Sequence, residues 1–231
     1  MAEGEQKVIL LAGASGYVGN LALDALLDST DIGRVYAITR RPLGREHPRL
    51  ANRIVRFDQI ESQLKGLTCQ AALCSLGTTI RQAGSQEAFR EVDFDAVLAF
   101  ARTAKAAQAQ RFVVVSSAGA DSKSKNFYLR TKGEMEEALA GVGFASLDIL
   151  QPSLLLGWRG EIRPLELLGS VFMPLVNPFL TGKRESFRAI PARTVAAAMV
   201  GVTRSGRRGV QRYTYSAIQS LSRIKPVRTV K

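Results

Sequence analysis

The sequence predicts an α/β protein: a doubly wound, mostly parallel sheet with helices on both faces and a small C-terminal region covering the substrate side. Three observations carry that prediction. Short apolar runs alternate with segments of helical periodicity along most of the chain. The runs are apolar throughout, as in strands buried on both faces. The first run meets three glycines spaced Gly-x-x-Gly-x-x-Gly, at Gly13, Gly16 and Gly19, and then an amphipathic segment. Residues 1–231 are expected to form one domain around one sizeable core.

Val8 to Ala12 reads as the first strand, and Tyr17 to Leu27 as the first helix, with Val18, Leu21, Ala22, Ala25 and Leu26 on one face. Strand, turn and helix together suit a dinucleotide pyrophosphate. Gly13 permits the tight turn, Gly16 lets backbone approach the phosphates, and Gly19 lets the helix pack on the strand. Ala14, Ser15, Tyr17 and Val18 complete the cradle, whose free N–H groups and helix dipole favour an anion. The glycines alone fit any glycine-rich turn, so the flanking elements carry the weight. Arg34 to Thr39 reads as a second strand after a loop at 28–33. Where an NAD-selective site usually has a carboxylate, this chain has Thr39-Arg40-Arg41-Pro42. Arginines there can pair with a 2′-phosphate, which favours NADP(H); the plainer alternative is a pair of solvated loop charges.

Arg53 to Phe57 reads as a third strand after a loop at 42–52. Asp58 follows it, either accepting from the adenine amino group or capping a helix. Cys69 to Leu76 reads as the fourth strand, closed by Gly77-Thr78-Thr79. Strand ends of this kind line the ligand crevice, so Leu76, Gly77 and Thr78 are expected beside the cofactor. A long helix over Gln86–Gln108 leads to a fifth strand, Arg111–Val115, ended by Ser116-Ser117. A helix from Tyr128 to Leu139 and a sixth strand, Ala145–Leu150, follow. Leu154 to Ile190 has no clean period and reads as loops and short helices forming a substrate-side lid. Pro191–Val202 reads as a helix, Val210–Ile218 as a late strand, and 222–231 as a loose basic tail.

The net charge of +12 is localised. Residues 203–231 carry eight Lys/Arg and no acid, and residues 40–56 carry six Arg against one Glu. That favours local anion contacts over a general nucleic-acid surface. No specific nucleic-acid reader motif appears. No leader pattern and no apolar run of about 18 residues is found, so no membrane span and a cytoplasmic location are expected. Cys69 and Cys74 read as reduced core thiols, and His47 is the single histidine, so no metal site is expected.

Chemistry converges on the carboxyl side of the sheet. Tyr128 and Lys132 share a helix face at i,i+4. A free tyrosine has a pKa near 10, but a neighbouring ammonium favours the phenolate, which makes Tyr128 a candidate acid/base. Lys132 can also hold the nicotinamide ribose, and a serine hydroxyl can stabilise a substrate oxyanion.

Gly13-Ala14-Ser15-Gly16-Tyr17-Val18-Gly19, the arginine-ended second strand, Val115-Ser116-Ser117 and Tyr128-Leu129-Arg130-Thr131-Lys132 together resemble the atypical short-chain dehydrogenase/reductases. Phe89-Arg90-Glu91-Val92-Asp93, Ser116-Ser117-Ala118-Gly119-Ala120-Asp121, Asn126-Phe127-Tyr128-Leu129 and Lys132-Gly133-Glu134 resemble the oxidoreductase group that includes the Tat-interacting protein. The resemblance covers most of residues 5–200. It implies a Rossmann fold, NADP(H) and a catalytic triad of Ser117, Tyr128 and Lys132, with Ser116 as the fallback serine. It also implies that Gln151-Pro152-Ser153 lies beside the nicotinamide. Only about 80 residues follow Pro152, against the large substrate domain of sugar-epimerase relatives, so a small carbonyl-type substrate is expected. A cofactor-sensing or scaffold protein without turnover is the alternative. Monomer and homodimer both stay open.

Overall fold

The computed structural model describes residues 6–156 and 182–224. Of the expected lid, 157–181 lies outside the described residues, as does 225–231 of the tail.

The elements run β1 (Lys7–Ala12), α1 (Tyr17–Leu27), β2 (Ile32–Thr39), β3 (Leu50–Ile54), a 3₁₀ turn (Phe57–Gln59) and α2 (Ile60–Gln63). Next come β4 (Ala71–Cys74), α3 (Ile80–Ala83), α4 (Gln86–Arg90), a π-helical turn (Glu91–Asp95), α5 (Ala96–Ala106) and β5 (Arg111–Val115). Then follow α6 (Phe127–Ala140), β6 (Ser146–Leu150), β7 (Leu155–Leu156), a 3₁₀ stretch (Gly182–Phe187) and β8 (Ile190–Pro191). The last described elements are α7 (Ala192–Val202), β9 (Gly209–Tyr213) and α8 (Tyr215–Ser222).

Seven strands form one parallel sheet in the order β3-β2-β1-β4-β5-β6-β9. The chain winds outward from β1 through β2 and β3, then returns to β4 on the other side. The β1/β4 boundary is therefore the switch point, where the carboxyl ends of the strands leave a crevice. Residues of β1 alternate between two cores. Ile9 and Leu11 pack with α1, α7 and α8, while Leu10 and Ala12 pack with α2, α5 and α6. This two-sided burial is why the strands read as continuous apolar runs.

Several boundaries differ from the sequence reading. β3 pairs from Val35↔Leu50 onward and ends at Ile54, so Phe57 belongs to the 3₁₀ turn rather than to the strand. β3 is an edge strand with no fully buried residue, positioned partly by Asn52, whose amide donates to Ala37 O and Thr39 Oγ1. Such a strand carries little hydrophobic signal. The expected strand Val210–Ile218 is instead β9 followed by α8. Ile218 and Leu221 are buried at i,i+3 spacing and face α7. That packing is close: a Cβ on Gly201 of α7 would lie 2.2 Å from Leu221 O. The long helix ends at Ala106, and Gln108 at φ 67° turns the chain away from it. The described parts of 154–190 include a short parallel pairing of β7 with β8.

Polar ties fix the far edge. Arg204, just after α7, grips both oxygens of Asp31 at 2.8 and 2.9 Å. Arg111 lies 3.3 Å from the buried Asp148 carboxylate, which also accepts from Tyr213 Oη at 2.9 Å. The basic C-terminal stretch is thus partly engaged within the fold.

Candidate functional site

β1 delivers the chain to Gly13, whose φ of +86° favours glycine. A Cβ there would lie 2.6 Å from Ser75 Oγ, and one on Gly19 would lie 2.1 Å from Gly13 O. Both glycines let α1 sit directly on the ends of β1 and β4. Gly16 differs, because a Cβ there would meet only Gly13 O, at 3.3 Å. Gly16 also caps α1 with no side-chain hydrogen bond to the helix N–H groups. The cradle therefore presents backbone donors to the crevice, as an anion requires. Ala14 is buried beneath it, while Ser15, Tyr17 and Val18 face the crevice.

Two cavities, of about 720 and 830 Å³, adjoin along Ser15, Gly16 and Ser75–Thr78. Each falls within the usual size of small-molecule sites, about 300–1,000 Å³. The larger is bordered by Thr39, Arg40, Phe57, Asp58, Glu91 and Asp95. The other is bordered by Ser116, Ser117, Tyr128, Lys132, Pro152 and Ser153. A dinucleotide lying across the cradle would place one half in each.

On the first side, Arg40 is exposed at the cavity edge, and Arg41 is exposed away from its lining. Thr39 is buried, and its hydroxyl donates to Arg41 O at 2.7 Å, which shapes the strand end. Asp58 caps neither neighbouring helix. Both its oxygens accept from Arg56, at 3.2 and 2.7 Å. The hydrogen bond from Arg56 holds the Asp58 carboxyl below the ordinary range.

The second side is built from buried polar contacts. Asn126 caps α6 by accepting from Leu129 N at 3.1 Å, which sets Tyr128 and Lys132 one turn apart over the cavity. Phe89 packs against Tyr128 and Phe127 with ring centroids 5.6 and 5.8 Å apart. Lys132 Nζ lies 2.7 Å from Asp93 Oδ1, and both side chains are buried. Burial pulls the Lys132 pKa down, but the charges of Asp93 and Tyr128 outweigh it and leave it above the ordinary value. Asp93 Oδ2 accepts the Thr78 N–H at 2.7 Å. Nearby, burial pushes the Cys74 thiol up to about 12.

The two serines ending β5 diverge. Ser117 borders the cavity half-buried, its hydroxyl 3.4 Å from Ala118 O. Ser116 is buried, and its hydroxyl donates to Glu136 Oε1 at 2.6 Å. Gln151 also donates to Glu136, at 2.8 and 3.1 Å, and Arg212 does so at 2.8 Å. Glu136 thus joins the ends of β5, β6 and β9 beneath the site. Gln151 supports the cavity from below, while Pro152 and Ser153 border it. Helix α6 also touches the loop that precedes it, since a Cβ on Gly133 would stand 2.1 Å from Ser122 N.

Asp93 and Glu136 were not singled out by function in the sequence. A signal existed for both. Asp93 falls four residues after Phe89 and four before Val97, on the apolar stripe of its helix. Glu136 follows Lys132 by one turn, beside Met135 and Leu139. A carboxylate on a buried face needs a partner, and that requirement alone would have marked them.

The glycine cradle at the switch point and the paired cavities beside it define a dinucleotide-binding α/β protein. The chain belongs to the NAD(P)H-binding family, whose model matches residues 13–157. It is 34% identical over 201 residues to the protein HTATIP2 of Rattus norvegicus, covering 85% of this chain and 81% of that one. It is 36% identical over 192 residues to the mitochondrial protein FMP52 of Lodderomyces elongisporus, covering 74% and 80%. Among solved structures, the Bordetella bronchiseptica enzyme WbmH in complex with NAD+ superposes with a TM-score of 0.69. That match is 15% identical and covers 94% of this chain and 80% of the other, so it speaks for the fold. The fold is Rossmann-like, a parallel α/β sheet shared with that NAD-bound enzyme, as the motifs implied.

Proposed function

We propose that the protein is an NADP(H)-dependent oxidoreductase acting on a small carbonyl-type compound, with Tyr128 as acid/base. One observation carries this reading: Ser117, Tyr128 and Lys132 border a single cavity that adjoins the glycine cradle. The donor set suits a dinucleotide. Backbone N–H groups of the first turn of α1 would meet phosphate, Gly77 and Thr78 would meet the central sugars, and Lys132 would meet the nicotinamide ribose. The bound cofactor supplies hydride. Tyr128 gives its hydroxyl proton to the substrate oxygen in reduction and takes it back in oxidation. The Lys132 ammonium favours the phenolate left behind. Ser117 donates to the substrate oxygen and stabilises its developing charge. Pro152 and Ser153 close the nicotinamide side.

The preference for NADP(H) rests on Arg40, with Arg41 beside it. Asp58, Glu91 and Asp95 border the same cavity and disfavour a second anion, so Arg40 has to outweigh them. The chain is read as one domain with 154–190 over the substrate side. Among the described residues no helix is long and apolar enough to cross a membrane. The location proposed is cytoplasmic; FMP52 relatives carry a mitochondrial designation in their names, and cell fractionation decides between the two.

The test is a thermal-shift comparison of NADPH with NADH, followed by turnover with a panel of small aldehydes, ketones and enones. Ligand at a hundredfold excess over Kd stabilises by about 2.7 kcal/mol. No shift with either cofactor overturns the reading, and a larger shift with NADH overturns only the Arg40 argument. A second reading, a cofactor-binding sensor without turnover, draws on the Asp93 carboxylate, which offsets the Lys132 charge that would act on Tyr128. Tight NADPH binding with no turnover across the panel would favour it.

A further inference from the structure

Asp93 plays no part in the chemistry just described, yet it is the most deeply placed charged group beside the cavity. Its two oxygens serve two elements. One pairs with Lys132 at 2.7 Å, and the other accepts the Thr78 N–H at 2.7 Å. A Cβ on Gly77 would stand 3.3 Å from Asp93 Oδ1 and 3.8 Å from Lys132 Nζ, so the Gly77–Thr78 turn lies against the pair. That turn borders both cavities. Asp93 belongs to the π-helical turn between α4 and α5. Such turns re-aim one face of a helix and are frequent at functional sites. One helical turn earlier, Phe89 packs on Tyr128. Phe89 and Asp93 on one helix therefore meet Tyr128 and Lys132 on the other, rung for rung.

We infer that Asp93 is a positioning residue for the cofactor: it keeps the Lys132 ammonium charged at the cavity and fixes the Gly77–Thr78 turn to the same point. The inference rests on NADP(H) binding across the two cavities. A buried amine without a counter-charge tends to lose its proton, its pKa falling by up to about 3–5 units. The other titratable groups facing Lys132 are Tyr128 on its own helix and Cys74 on β4; Asp93 is the carboxylate among them. Arg90 is engaged with Glu134 on the outer side of the same helix pair.

The experiment measures NADPH affinity of the full chain from pH 7 to 9.5 by calorimetry. The chains compared are wild type, Asp93→Asn, Asp93→Glu, Lys132→Met and the double variant Asp93→Asn/Lys132→Met. Asparagine keeps an acceptor for Thr78 and removes only the charge. The ratio of the Asp93→Asn dissociation constant to that of wild type is expected to grow with pH. It should approach tenfold per pH unit, about 1.4 kcal/mol, until it meets the Lys132→Met level. Asp93→Glu is expected to recover wild-type behaviour. A constant ratio, or none, overturns the inference.

If Asp93→Asn does not fold, the double variant is expected to fold and bind like Lys132→Met, because removing both members of a buried pair is far milder than removing one. Failure of the double variant to fold assigns Asp93 to the turn alone and overturns the inference. Trace acetylation read by mass spectrometry follows the Lys132 amine without any cofactor. At neutral pH its reactivity should rise about tenfold for each unit its pKa falls, and unchanged reactivity counts against Asp93 whatever NADPH does. Rising reactivity in a chain that binds neither NADPH nor NADH leaves Asp93 in control of the amine, but it overturns the cofactor reading and the positioning role with it.

Discussion

The two halves of the crevice are built on different principles. The side bordered by Arg40 and Asp58 relies on exposed charges: Arg40 is open to solvent, and Arg56 and Asp58 pair with each other at the surface. The side bordered by Tyr128 relies on buried ones. Lys132, Asp93, Ser116 and Glu136 are all at least nine-tenths inaccessible, and each has a polar partner. Exposed ion pairs hold side chains weakly and contribute about 0–1 kcal/mol, whereas removing a partner from a buried group costs several times more. The half that would select between dinucleotides is therefore tolerant of substitution. The half that would do chemistry is fixed in place.

That contrast can be broken at four points, taken from the largest expected effect downward. Tyr128→Phe should lower turnover of any accepted carbonyl by about 10²–10⁴-fold, followed through NADPH absorbance, with cofactor affinity nearly unchanged. Intact turnover would remove Tyr128 from the chemistry. Glu136→Ala strands Ser116 and Gln151, at about 1–3 kcal/mol for each buried group left unpaired. Urea unfolding should show the loss, and a change under 0.5 kcal/mol or so would deny the buried side its rigidity. Arg40→Ala should weaken NADPH binding about tenfold, near 1.4 kcal/mol, and leave NADH binding and the unfolding midpoint alone; an equal loss for both cofactors would mean that Arg40 does not read the 2′-phosphate.

The smallest effect belongs to a tie remote from either cavity. The hydrogen bond from Arg204 holds the Asp31 carboxyl below its ordinary range, against the opposing effect of burial. A depressed folded pKa contributes stability above the unfolded value, about 3.9 for Asp, and loses it as pH falls through the folded value. The stability gap between wild type and Asp31→Asn should thus be full at neutral pH and close progressively in acid. A gap that widens on acidification would contradict the pairing.

The glycine cradle, the strand ends and the Tyr128–Lys132 spacing were legible in the sequence because each depends on local chain chemistry. Gly13 needs its positive φ, and an i,i+4 pair needs only a helix. The third strand was misplaced for the opposite reason. Its register is set by Asn52 reaching across to β2, a contact between residues 15 apart. The late strand was overextended because Ile218 and Leu221 are apolar for the sake of α7, which no local pattern announces. Ser116 and Ser117 look alike in sequence, and only the position of Glu136 on α6 separates the one held in a buried hydrogen bond from the half-buried one. What the sequence hid was the set of partners, not the polar side chains that border the cavity.

Gly133 brings two segments of the site together. With backbone of Asp121 and Ser122 lying where its side chain would be, the loop after Ser117 and the helix carrying Tyr128 are in direct main-chain contact. The segments that follow Ser117 and Tyr128 are thus packed backbone to backbone. On the proposed mechanism a substrate oxygen would enter between two elements packed in this way, and the gap between them would set its fit. Even a methyl group at 133 would act as a wedge that opens that gap.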